Sequence, residues 1–211
     1  TKVETPPLAR CETPEEVHRL PWPNPDYLFF DSSLSALRSV GPFYRASGFW
    51  TPFFHDLMTL FGGMEEYFVR MHTHPDVVQA ATDRVCGFYY EANKRFFEVA
   101  GDEMDAFFFG NDFGTQLDVL VSPEHFDRFI LPWFRRFAEL GHQCGYKVIL
   151  HSCGAIRKVI PRLLEAGVDA LHPLQARAVG MEAETLAREF GGRPCFIGGV
   201  DTQELLVRGT P

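Results

Sequence analysis

The sequence predicts an α/β protein, a (β/α)8 TIM barrel of which this chain holds an incomplete part. From Gly101 onward, short apolar runs alternate with single amphipathic helices, which indicates a parallel sheet of right-handed βαβ units. Polar residues follow each apolar run, where the functional loops of a barrel lie. The sequence contains no GxGxxG or GxxxxGKS/T phosphate loop, which disfavours the competing doubly wound open sheet.

The first 62 residues are predicted to hold few long elements, because proline is concentrated there. Residues 27–30 are the best strand candidate in this part, and residues 45–50 are a weaker one. From Gly63 onward, apolar residues recur at steps of three and four, which predicts two helices separated by His74-Pro75. The second helix is expected to be about 20 residues long.

The second half is predicted to alternate strands with helices. Its strands are expected at residues 104–109, 147–151, 169–173 and 195–199. The first connecting helix begins at Ser122, where an N-cap serine precedes a proline and an acidic first turn. Pro132 lies inside its apolar pattern and is expected to kink it. Further helices are predicted at 156–164 and 181–190, each followed by glycine.

Composition and charge exclude several classes of partner. The chain has 211 residues, 28 of them acidic and 20 basic, and a formal net charge of −8, so it is expected to repel nucleic acid and anionic membranes. It has neither an apolar run of membrane-spanning length nor the regions of a signal peptide, which predicts a cytoplasmic location. The 21 phenylalanines predict a large aromatic core, and their excess is compatible with a surface through which the protein forms a homodimer.

The chain is expected to be a fragment. A whole barrel needs roughly 250 residues, and this sequence starts without methionine and stops at Pro211, just after a predicted helix begins. We therefore expect residues 1–211 to form one barrel domain, truncated at one or both ends.

His151 and Cys153 are the strongest candidates for a metal site. They stand two residues apart at the end of a predicted strand, so both side chains point to one side of it, toward the barrel mouth. Imidazole and thiolate are common zinc ligands, but a catalytic zinc takes three protein ligands. A buried cysteine beside a hydrogen-bonded histidine is the structural alternative.

Other polar residues follow the neighbouring strands. Asp112 and Asp201 could orient a substrate or act as acid or base, although both could also simply form turns. The residues predicted to contact substrate are Asn111, Gln116, His172, Gln175 and Gln203. For His172 the alternative is a structural hydrogen bond at a strand end.

Four segments of the second half resemble the uroporphyrinogen decarboxylase superfamily, whose members are (β/α)8 barrels. The segments are GNDFGTQ, VSPEHF, KVILHSCGAIRKVIPRLLEAGVDALHPLQ and FIGGVDTQELLVRGTP. The resemblance is strong from residue 101 to 211 and loose from 62 to 100. Within it, the His-x-Cys sequence is similar to the zinc motif of methyltransferases that move methyl groups to or from a corrinoid, or cobalamin, cofactor.

This resemblance implies that His151 and Cys153 bind zinc, with a third ligand beyond Pro211. It implies a small methylated compound or a thiol as one substrate and a corrinoid protein as partner. Zinc would lower the pKa of an acceptor thiol or act as a Lewis acid on an ether oxygen. The residues that would line the mouth are Asp112, Gln116, Gln175 and Asp201. The sequence departs from the pattern at Asn111-Asp112, where related sequences have two acids, and by lacking their N-terminal arginine motif.

Two other functions remain open. One is a cofactor-free decarboxylase of porphyrin biosynthesis, in which Asp112 or Asp201 would stabilise a protonated pyrrole. The other is a non-catalytic barrel that binds a corrinoid or a partner protein. Metal analysis distinguishes the zinc enzyme from both.

Overall fold

A computed structural model describes residues 5–50 and 53–209 of the chain. The chain divides into two compact units, Thr1–Met104 and Asp105–Pro211. Within the described ranges, no helix combines the length and apolar character needed to cross a membrane. That residues 1–211 form one truncated barrel domain stays a prediction.

The first unit is mainly helical. It contains α1 Pro14–Arg19, α2 Asp31–Ser39, the short strand β1 Ala46–Ser47, α3 Phe54–Phe61, α4 Met64–Thr73 and α5 Pro75–Ala100. The predicted break at His74-Pro75 is confirmed, because α4 ends at Thr73 and Pro75 opens α5. Helix α5 has 26 residues, more than expected.

The strand predicted at residues 27–30 is wrong. Pro25–Tyr27 is a turn of 3-10 helix, and the Asn24 side chain caps it by accepting the Asp26 N–H at 2.9 Å. Tyr27 and Phe29 are 77% and 85% exposed, so neither packs as a buried strand residue would. An asparagine N-cap followed by proline favours a helical turn, and this local signal outweighs the aromatic run. The weaker candidate at 45–50 contains β1.

The second unit is built on parallel strands. They are β2 Ala106–Gly110, β3 Lys147–His151, β4 Ala170–Leu174 and β5 Cys195–Gly198, each paired with the next in chain order. The helices between and after them are α6 Pro123–His125, α7 Leu131–Gln143, α8 Ile160–Glu165, α9 Ala183–Phe190 and α10 Leu205–Arg208. Successive parallel strands joined by helices are the arrangement of part of a (β/α)8 barrel, so the predicted fold class is confirmed.

The helix predicted at Ser122 is confirmed, and its irregularity lies just before the proline. The Ser122 hydroxyl accepts the His125 N–H at 3.2 Å. Residues Phe126–Ile130 then form a π-helical segment, and α7 begins at Leu131 with Pro132 in its first turn. Because proline has no N–H to donate, the regular helix starts anew there and does not run through it.

Strand β2 separates two packed layers. Phe107 and Phe109 are fully buried and stacked, with ring centroids 4.5 Å apart, and Phe109 also meets Phe134 of α7 at 5.2 Å. Successive strand residues point to opposite faces. Phe108 therefore packs on the face away from α7, against Ala106, Ile149 and Ala170.

Candidate metal centre

His151 and Cys153 continue the face of β3 that points away from α7. Ile149 belongs to the cluster on that face, and His151 and Cys153 follow it at steps of two, as the period of a strand requires. His151 is the last residue of β3 and pairs in register with Gly110, the last residue of β2. The loop that follows β2 therefore starts beside His151 and carries Asp112.

Asp112 joins His151 and Cys153 in one cluster. The His151 Nε2 atom lies 3.6 Å from Cys153 Sγ and 3.4 Å from Asp112 Oδ1. One ligand atom from each of the three residues lies within 4.8 Å of the others. The structure thus adds a third candidate ligand to His151 and Cys153, namely Asp112, which the sequence had suggested as a catalytic acid or base. The ligand that the resemblance places beyond Pro211 stays a prediction.

The donor set, and the two separations measured from His151 Nε2, fit zinc. Zinc binds sulfur at about 2.3 Å and nitrogen or oxygen at about 2.1 Å in tetrahedral geometry, which leaves nitrogen about 3.6 Å from sulfur and about 3.4 Å from oxygen. The separations from His151 Nε2 to the other two ligand atoms match these values. One thiolate, one imidazole and one carboxylate are also a chemically suitable set for this ion.

The loops after β2 and β3 are locked together. The buried Ser152 hydroxyl accepts the Phe113 N–H at 3.0 Å, and Asp112 Oδ1 accepts the Cys153 N–H at 2.8 Å. Two glycines allow this approach: a Cβ on Gly154 would lie 2.4 Å from the backbone of Gly114. Asp112 and Cys153 are therefore held in position by the backbones of both loops.

The charges of the cluster depend on one another. The hydrogen bond from His151, with help from the Cys153 N–H, lowers the pKa of the Asp112 carboxyl against the opposing effect of burial. Burial and the nearby carboxylate of Asp112 raise the pKa of the Cys153 thiol to about 11. Asp112 is therefore ionised at neutral pH, while Cys153 keeps its proton unless a cation stabilises the thiolate.

His172 lies behind His151 and not in the ligand group. The two residues pair in register on β3 and β4, and their Nδ1 atoms are 3.0 Å apart. Burial, and then the positive charge that His151 can carry, lower the pKa of His172. His172 is thus neutral near pH 7. The substrate contact predicted for it stays a prediction, whereas the alternative hydrogen bond at a strand end is present.

Asn111 and Gln175 hold the loop backbone. Asn111 is buried; its backbone N–H donates to the His151 carbonyl at 3.0 Å, and its side-chain amide donates to the Asp112 carbonyl at 3.1 Å. The Gln175 side chain accepts the Gly154 N–H at 2.8 Å. Both amides support the loops that carry the cluster, and their predicted substrate contacts stay predictions.

Asp201 and two glutamines form a second polar group. Asp201 Oδ1 accepts the Gln203 N–H at 2.8 Å, which lowers the pKa of this carboxyl. The side-chain amide of Gln203 lies 3.4 Å from Gln116 Oε1. Arg177 Nη1 lies 3.7 Å from Asp201 Oδ2. The turn role that the sequence left open for Asp201 is present, and its catalytic role stays a prediction.

Sequence reasoning missed Arg177 and the contribution of Ser152. Arg177 follows Gln175 at the end of β4 in a stretch with no recognisable motif, so no sequence signal identified it. Ser152 stands between the two predicted ligands, and the alternation of side chains along a strand could have marked it as pointing to the opposite side.

Comparisons with known proteins agree with this architecture. The family model described as uroporphyrinogen decarboxylase (URO-D) matches residues 12–211. Among solved structures, a methyltransferase from Methanosarcina mazei has a similar fold, with a TM-score of 0.51 and 16% sequence identity. The match covers 72% of this chain and 45% of that one, so this chain spans less than half of that methyltransferase. Curated proteins gave no match.

Proposed function

Because this chain belongs to the uroporphyrinogen decarboxylase family, we propose that it is an enzyme of that family and acts as a zinc-dependent methyltransferase. In this proposal, His151, Cys153 and Asp112 hold the zinc. The methyl group moves between a small methylated substrate or thiol and a corrinoid cofactor on a partner protein. The fold it shares with a protein described as a methyltransferase supports this choice within the family.

One observation carries the proposal. The three candidate ligand atoms, from Asp112, His151 and Cys153, lie within 4.8 Å of one another at the carboxyl ends of two neighbouring parallel strands. Catalytic residues of a (β/α)8 barrel occupy that end of the strands. A thiol whose pKa is raised to about 11 is a poor nucleophile near neutral pH. Cys153 is therefore better suited to bind a cation than to attack a substrate itself.

In this proposal, the zinc and the residues around it have different roles. A bound zinc would supply Lewis acidity and would lower the pKa of a thiol substrate, so that the thiolate forms near neutral pH. Asp112 supplies a negative charge, and its carboxylate accepts a hydrogen bond from the Cys153 N–H, which fixes the loop that carries the sulfur. Gln175 stabilises the same loop by accepting the Gly154 N–H, and Ser152 links it to the loop after β2 by accepting the Phe113 N–H. Gln116, Asp201 and Gln203 offer polar groups to the substrate.

Metal analysis tests the proposal. The purified chain, loaded with zinc and freed of excess by gel filtration, is expected to retain about one zinc per chain, because three ligands from ordered loops suffice for tight binding. His151→Ala and Cys153→Ala are each expected to lose it. Cys195→Ala removes an exposed cysteine elsewhere in the sheet and is the matched control. The proposal would be contradicted if the folded wild type retained no zinc, or if all variants retained as much zinc as the wild type.

Cofactor-free decarboxylation of a tetrapyrrole is the second candidate. The family match favours it, and so does Arg177, whose guanidinium beside Asp201 could hold a substrate carboxylate. Asp112 or Asp201 would then stabilise a protonated pyrrole. Turnover of uroporphyrinogen by zinc-free protein would establish this function in place of the first. A zinc-free protein without that activity would leave a non-catalytic binding barrel.

A further inference from the structure

We propose that His172 is a positioning residue, which accepts the Nδ1–H of His151 and so keeps the Nε2 lone pair of His151 directed at the metal. This inference rests on the proposed zinc site and adds a residue to it. The main observation in its favour is the separation of 3.0 Å between the Nδ1 atoms of the two rings.

The distance, together with the identity of the ligating nitrogen, determines which ring carries the proton when a metal is bound. Two imidazole nitrogens 3.0 Å apart form a hydrogen bond only if one of them carries a proton and the other does not. The Nε2 atom of His151 faces Cys153 Sγ and Asp112 Oδ1, so it is the nitrogen that would ligate. An imidazole that ligates through Nε2 carries its proton on Nδ1. His172 must then accept at Nδ1 and carry its own proton on Nε2.

The surroundings of His172 hold its ring in place for this role. The rings of Phe108 and His172 are in T-shaped contact, with centroids 5.4 Å apart and planes at 88°. The His172 carbonyl accepts the Ser152 N–H at 2.7 Å, which ties β4 to the loop between the two ligands. Register pairing of β3 and β4 sets the two histidines side by side. The acceptor is thus positioned before any metal binds.

Two substitutions separate hydrogen bonding from packing. Asparagine places its Oδ1 near the position of the histidine Nδ1 and can accept the same proton, whereas leucine has a similar shape and no acceptor. We expect His172→Leu to weaken zinc binding about 10- to 100-fold, the usual effect of removing the hydrogen-bond partner of a ligating histidine. His172→Asn should stay within about threefold of wild type.

The measurement is zinc affinity by competition with a chromophoric chelator, with circular dichroism as the check on folding. Equal affinities of wild type and His172→Leu would overturn the inference, and so would a loss in His172→Asn as large as that in His172→Leu. Nitrogen-15 NMR of the zinc-loaded wild type supplies a readout without any variant. It should show His172 protonated on Nε2 alone, and a proton on His172 Nδ1 would also overturn the inference.

These outcomes remain distinct from failure of the proposed function. If the folded wild type binds no zinc, the metal site and the role of His172 both fall. If it binds zinc and His172→Leu binds equally tightly, only the role of His172 falls.

Discussion

Replacement of Gly154 by alanine is expected to lower the free energy of unfolding by about 2–5 kcal/mol, the combined cost of a left-handed backbone and of overpacking. Gly154 has a φ of +90°, and a Cβ there would lie 2.4 Å from the carbonyl carbon and oxygen of Gly114 and 2.6 Å from the Thr115 oxygen. These neighbours are backbone atoms, so no side-chain rotation relieves the clash. The two loops must separate.

The same variant is expected to lose the zinc binding proposed above, because the separated loops carry Asp112 on one side and Cys153 on the other. Chemical denaturation and the chelator competition measure the two effects. Gly145→Ala is the matched control: its φ is +83°, but nothing lies within 4 Å of the added Cβ. It should therefore show the backbone cost alone, about 1–3 kcal/mol. A Gly154→Ala protein as stable as Gly145→Ala would contradict the contact between the loops.

Truncation of Phe109 is expected to destabilise the core strongly. Phe109→Ala should cost about 3–5 kcal/mol, because the cavity cannot close without moving several rings. Phe109 is fully buried, stacked on Phe107 at 4.5 Å and in contact with Phe134 and Phe137 at 5.2 and 5.7 Å.

The control for this truncation is Phe29→Ala, since Phe29 is 85% exposed and such surface substitutions change stability by about 0.5 kcal/mol or less. Urea unfolding followed by circular dichroism compares the two variants. A cost below about 1 kcal/mol for Phe109→Ala would contradict the packing of α7 on β2.

The sequence was sufficient to predict the strands of the second unit because their patterns are local, whereas the helix predicted at 156–164 begins only at Ile160. Lys147–His151 forms the predicted strand residue for residue, and β2, β4 and β5 lie within two residues of the predicted bounds. Each run is apolar and ends at polar or glycine residues, so periodicity and end signals agree. Helix α3, Phe54–Phe61, was missed because its surroundings are rich in aromatic residues and proline, which gave no clear period.

The candidate site was predictable only in part. The two-residue step from His151 to Cys153 follows from strand geometry, and the structure places both in one cluster. The distance from Asp112 to that cluster depends on how the chain pairs β2 with β3, which brings together residues 39 or more positions apart. The contact of His151 with His172 likewise depends on the register of β3 and β4. Such pairings are set by long-range packing, which no local sequence pattern encodes.

All three candidate ligands belong to a single βαβ unit, formed by β2, α7 and β3. The three candidate ligand atoms of the proposed metal centre are therefore brought together by two adjacent strands and the loops that follow them. Zinc affinity would therefore report on the pairing of β2 with β3, as a local probe of folding. It also follows that this unit could be moved between barrels as one piece, with specificity supplied by the loops that follow the other strands.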